Sequence, residues 1–194
     1  MTMHVSRPAG GFSLIELMVA IIVLAILTSI ALPNFRSFVR RNAVTSQSNA
    51  MLADLQYARN DAISRRVITE ICGSTDGTAC TGANAFEGGW VIYRETAPGP
   101  GATFTAADEV QRVSQGTEGL SIRLVDDTGA AVNDVGFRQD GSVNSDKPLS
   151  FLICPTSSGD SVGESTNKVQ GAQLLLSTSG RATIRPIAVG GSCG

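Results

Sequence analysis

The distribution of apolar and polar positions changes character twice along the chain. Residues 12–32 are apolar apart from Ser13, Glu16, Thr28 and Ser29. As a helix this run rises about 30 Å, close to the thickness of a hydrocarbon core. It is longer than the roughly 7–15 apolar residues of a secretory signal, and no A-x-A site follows it, which favours a spanning helix. Pro33 comes next, where a helix loses a hydrogen bond and bends. Spacings of three and four then return with Phe35, Phe38 and Val39, followed by Met51, Leu52, Leu55, Ala58, Ala62 and Ile63. The pattern predicts one long helix, kinked near Pro33 and ending about Arg66, whose second half packs on a sheet. Residues 44–50 are its weak point, with Thr45, Ser46, Gln47, Ser48 and Asn49 in a row. Arg40, Arg41, Asp54, Arg59, Asp61 and Arg65 fall largely off the stripe.

After Val67 the pattern becomes that of short strands and turns. Strands are predicted at residues 67–72, 90–94, 121–125, 135–138, 149–154, 173–177 and 182–186. Turn signals stand between them: Gly88-Gly89, residues 98–101, Asp127-Thr128-Gly129, Asp140-Gly141 and Ser179-Gly180. Residues 82–115 fit the pattern least and read as a variable loop region. Antiparallel strands packed on one long helix make an α+β fold.

Composition adds a compartment and removes most chemistry. The 194 residues carry a net charge of −2, so no global basic field gathers nucleic acid. Cys72, Cys80, Cys154 and Cys193 include no CxxC and have no histidine near them, so two disulfides in an oxidising compartment are favoured over a zinc site. Three connectivities exist; pairing 72 with 80 and 154 with 193 is preferred, closing a small turn and tying the tail to a core strand. The only histidine is His4, which leaves no histidine base in the rest of the chain. Gly99-Pro100-Gly101 lacks the strand and Lys-Ser/Thr of a phosphate loop. Asp126-Asp127, Asn133-Asp134 and the acids of residues 140–146 miss calcium-loop spacing and read as turn residues. No enzyme activity, cofactor or metal site is expected.

Glu16 then needs a reason. An acid inside a bilayer costs about 2.5–3.5 kcal/mol on insertion scales, so it usually has a partner and a role. At the headgroup level it would cost little.

The residues Gly11-Phe12-Ser13-Leu14-Ile15-Glu16-Leu17 resemble the signal of type IV prepilins and type II secretion pseudopilins. The resemblance implies cleavage by prepilin peptidase between Gly11 and Phe12, N-methylation of Phe12, and pairing of Glu16 with the new amine on a neighbouring pilin. Such a pairing stabilises two groups that are each costly alone in low dielectric. It also implies residues 1–11 as leader, 12–33 as the membrane and assembly helix, 34–66 as its amphipathic continuation, and 67–194 as a periplasmic domain. Arg36, Arg40 and Arg41 beyond the span, against Arg7 before it, oppose this topology by the positive-inside rule; the cysteines and the signal outweigh them.

Further landmarks are Ala58-Arg59-Asn60-Asp61-Ala62, Cys72, Gly89-Trp90, Gly136-Phe137 and Ser179-Gly180-Arg181. Together they resemble the GspH/FimT branch of minor pilins and pseudopilins and imply a pilin fold. Three functions follow from the resemblance: a minor pilin that enters or primes a pilus, a DNA-binding minor pilin, and a secretion pseudopilin. The DNA reading rests on a basic tail, Lys168, Arg181 and Arg185, in which strand alternation puts Arg181, Thr183 and Arg185 on one face. The family's Gly-Arg-x-Arg motif is displaced here to Gly180-Arg181-Ala182-Thr183-Ile184-Arg185. Three phosphate contacts would give a salt slope of only about −2 to −3.

Overall fold

The computed structural model describes residues 12–96, 104–105, 108–157 and 160–194. His4, the leader, Gly11 and the 98–101 turn lie outside them. The chain divides into two compact units, one ending at Phe38 and the other Val39–Gly194.

Helix α1, Leu14–Arg65, is the single long helix the pattern predicts. In the first unit it is one helix long and apolar enough to cross a membrane. Its polar side chains bond back onto the helix itself. The Thr28 hydroxyl donates to the carbonyl of Leu24 (2.9 Å), that of Ser29 to Ile26 (2.7 Å), and the Asn34 amide to Ile30 (3.3 Å). Such back-bonding satisfies these three side chains without water.

In the second unit the helix buries Val44, Gln47, Ser48, Met51, Leu55, Ala58 and Ala62, so the polar stretch at 44–50 continues the buried stripe. Ser48 reaches that depth because its hydroxyl donates to the carbonyl of Val44 (2.7 Å). Gln47 donates to the carbonyl of Gln115 (3.2 Å). Two placements differ from the expectation: Asp54 and Asp61 are buried, not off the stripe.

Eight strands follow. β1 (Thr69–Gly73), β2 (Gly89–Arg94), β3 (Glu109–Gln115) and β5 (Asp134–Phe137) form one antiparallel sheet in the order β3-β2-β1-β5. β4 (Leu120–Asp126), β6 (Leu149–Pro155), β7 (Ala172–Leu176) and β8 (Ala182–Pro186) form a second, in that order. Both sheets and the helix share one core, including Trp90, Phe137, Phe151 and Leu174; Phe86 meets Phe151 edge-on at 5.1 Å. Seven strands lie where the sequence places them.

β3 was not expected, since residues 82–115 read as loop. Its register explains why. The side chains sharing a face with buried Trp90 and Ile92 and half-buried Arg94 are Ser114, Arg112 and Glu109, all polar because they meet polar partners. Val113, opposite Val91, is on the other face, and the irregularity at Ile92/Tyr93 brings Val110 there too. No period-2 hydrophobic signal survives.

Of the aspartates read as turn residues, Asp126 and Asp140 act as such, whereas Asp134 opens strand β5 opposite Cys72. Asp126 accepts from the backbone N–H of Thr128 (2.8 Å) and Ala130 (2.9 Å), and Asp140 from that of Ser142 (2.9 Å). Gly129 and Gly141 take positive φ in those turns, where a side chain would be strained.

Candidate functional site

Two separate regions carry candidate function, one in each unit. The first is the start of α1. Phe12 precedes the helix, and Glu16 falls in its first turn, where unpaired N–H groups favour negative charge. The large apolar side chains of residues 12–32 are between 49% and 86% exposed. Among the described residues Glu16 has no ion pair within its own chain. Gly11, the other half of the expected cleavage site, lies outside the described residues.

The second region is the first sheet and the helix anchored on it, where three carboxylates are buried, two of them holding the helix. Asp54 accepts from the indole N–H of Trp90 (2.8 Å) and the hydroxyl of Ser114 (2.5 Å), and pairs with Arg112 (2.9 Å). Arg112 also lies over the Tyr57 ring at 5.6 Å. One turn pair further on, Asp61 accepts both prongs of the Arg94 guanidinium (2.7 and 2.6 Å) and the hydroxyl of Thr69 (3.1 Å). Arg94 continues to Glu109 (2.9 Å). The Arg94 hydrogen bonds hold the Asp61 carboxyl below its ordinary value. A fork on two oxygens fixes angle as well as distance, so the pair sets how the helix lies on β2.

Glu70 is the third. It points to the other side of the sheet, where the Tyr93 hydroxyl donates to it (2.6 Å) beside the Cys72–Cys80 disulfide and Phe104. Burial is the main cause that pushes its carboxyl up to about 7; repulsion from Glu95, Asp134 and Asp108 adds, and the Tyr93 bond opposes. The fit depends on Gly136 opposite, since a Cβ there would lie 2.9 Å from the Glu70 Oε1.

Sequence reasoning missed all three as a set. A signal existed for two: Asp54 and Asp61 are seven residues apart and flank Leu55 and Ala58, so they share the helix face that is buried. Arg59, a family landmark, donates to the carbonyls of Gly141 (3.0 Å) and Ser179 (3.1 Å), tying one turn of each sheet to the helix.

The disulfides pair Cys72 with Cys80 and Cys154 with Cys193, with Cα atoms 5.6 and 6.0 Å apart. This is the preferred connectivity of the three. The basic tail is only partly assembled. Register places Arg185 opposite Gln173 and Thr183 opposite Leu175, and Arg181, Thr183 and Arg185 are exposed. The Arg185 Nε donates to Gln173 (3.1 Å). Asp126 and Asp127 line the same hollow as Arg185. Lys168 sits apart, exposed on the segment between β6 and β7.

Comparison with known proteins extends this geometry. A family model described as type II transport protein GspH matches residues 47–180, and one described as the prokaryotic N-terminal methylation motif matches residues 6–32. The fimbrial protein EcpC of Eikenella corrodens is 29% identical over 136 residues, which cover 70% of this chain and 84% of that protein. Two crystal forms of the Pseudomonas aeruginosa type IV minor pilin FimU align at TM-scores of 0.55 and 0.50, each at 24% identity. The alignments span 77% and 73% of this chain and 92% of FimU. That likeness shows the fold: a long helix on antiparallel sheets.

Proposed function

Because this chain belongs to the GspH family of pilin-type proteins, we propose that it is a minor subunit that enters or primes a type IV pilus. The observation that carries the reading is the contrast within α1. The same helix that is buried from Val44 onward leaves residues 12–32 uncovered, with one acid in the first turn. Such a rod is at home in lipid and, outside lipid, only against other apolar protein surfaces.

Prepilin peptidase removes residues 1–11 and methylates Phe12. The domain stands in the periplasm, the compartment that two disulfides require. Glu16 pairs with the Phe12 amine of an adjoining subunit and sets its axial position. Mass spectrometry of the mature chain is expected to show an N-methylated Phe12 terminus. Glu16→Ala is expected to insert and be processed normally, yet to be lost from sheared fibres. Wild-type incorporation of this variant removes the pairing role. Service in a secretion pseudopilus uses the same chemistry; deletion that stops secretion and leaves surface pili intact would assign that machine instead.

A second reading, capture of DNA, draws on the exposed Arg181, Thr183 and Arg185 of one β8 face. The carboxylates of Asp126 and Asp127 beside Arg185 oppose a polyanion, which favours assembly as the primary role. Titration of the domain with duplex DNA at low salt decides: equal binding by wild type and Arg181→Ala/Arg185→Ala discards it.

A further inference from the structure

The second unit carries a surface that pilus entry as described above does not use. A groove of about 250 Å³ runs between the helix at residues 44–49 and the edge strand β8. Val44, Ala172, Ile184 and Pro186 supply its apolar lining, with Thr45 and Asn49 from the helix beside them. Val44 and Ala172 are buried at 4% and 9%, whereas Ile184 is 38% exposed. Arg185 is the one charged residue among those lining it.

The groove is open because β8 ends its sheet. An added strand suits this edge poorly, since Pro186 has no N–H to give and a charged edge resists pairing. A helix laid against the apolar lining meets neither obstacle.

The molecule itself specifies such a helix. Residues 12–32 expose fourteen large apolar side chains, on the order of 1,000 Å² of apolar surface, against the roughly 800 Å² per partner of a stable interface. A soluble monomer tolerates a patch of about 300–600 Å². Once drawn from lipid, this rod needs a protein cover.

We propose that the groove receives the apolar N-terminal helix of a neighbouring pilin-type subunit. The proposal rests on the pilin reading and adds to it a place on the head where a neighbour's rod is seated.

The test uses the full-length chain in cells that assemble fibres. A photo-reactive residue replacing Thr45 is expected to cross-link to the apolar N-terminal segment of another pilin, identified by peptide mapping. Thr45→Arg and Ile184→Asp each put a charge into the groove. Both are expected to lower the share of processed chain in sheared fibres about tenfold, as for a 1.4 kcal/mol loss of contact. Thr45→Val, which keeps the groove apolar, is expected to incorporate as wild type does. Cross-links confined to head domains, or wild-type incorporation of both charged variants, overturn the groove and leave the pilin reading standing. A wild-type chain absent from fibres overturns both.

Discussion

Between Leu14 and Phe38 helix α1 turns large apolar side chains outward and satisfies Thr28, Ser29 and Asn34 on its own carbonyls. Between Val39 and Arg65 the same helix buries polar side chains, including Gln47, Ser48, Asp54 and Asp61, each with a partner. The two halves invert the usual rule that apolar groups go in and polar groups stay out. In lipid a helix needs nothing but itself, because its backbone bonds are internal. On a sheet it needs direction, because apolar contact alone leaves its rotation loosely set. The buried acids give that direction: each accepts from a donor fixed on β2 or β3.

Substitutions in the second half should therefore cost stability, and those in the first half should not. The largest effect is expected for Asp61→Ala, which takes both prongs of the fork from the half-buried Arg94 guanidinium and leaves it only Glu109 at the solvent side. Breaking a buried pair from one side costs about 3–5 kcal/mol, read as a lower denaturant midpoint of the domain. Removing the Cys154–Cys193 link, which spans 39 residues, should cost about 4 kcal/mol in the chain-entropy model, and the 8-residue Cys72–Cys80 link about 2.5 kcal/mol. If the shorter link proves the more important, native packing around Cys72 and Phe104 outweighs loop entropy.

Glu70 provides a pH-dependent comparison. Its folded value, about 7, lies above the ordinary 4.5, so between these values the folded state holds a proton that the unfolded state releases. Stability is therefore fullest below about 4.5 as far as this group is concerned. It declines as pH rises to about 7, by about 3 kcal/mol, and then levels off. Asp61 contributes with the opposite sign, its stabilisation being lost as pH falls through its lowered value. Denaturation midpoints measured from pH 4 to 8 should decline with rising pH in the wild type and flatten in Glu70→Gln. An unchanged slope in the variant would assign the decline to another group. The smallest effect is expected in the first half: Ile26→Ala should leave the melting of the head within error, since its side chain touches no core residue.

Much of the fold was legible because it rests on local pattern. The apolar run, the return of three-and-four spacing after Pro33 and the aspartate–glycine turns each reflect a requirement met within a few residues. β3 was illegible for the converse reason. Ser114, Arg112 and Glu109 face the helix side and look like loop residues until their partners Asp54 and Arg94 are known. The site divides in the same way. Phe12 and Glu16 stand out in sequence because an acid in an apolar run is anomalous without any structure. The anchoring acids do not, because surface helices are full of aspartates.

By itself, then, the sequence determined the helical rod, its lone acid and most strand positions, all of which follow from side-chain chemistry at short range. Only the tertiary structure decided which acids are buried, how the strands divide into two sheets, and that an open apolar groove remains beside β8. Those depend on residues far apart in the chain meeting donor to acceptor, and no local pattern records a partner that distant.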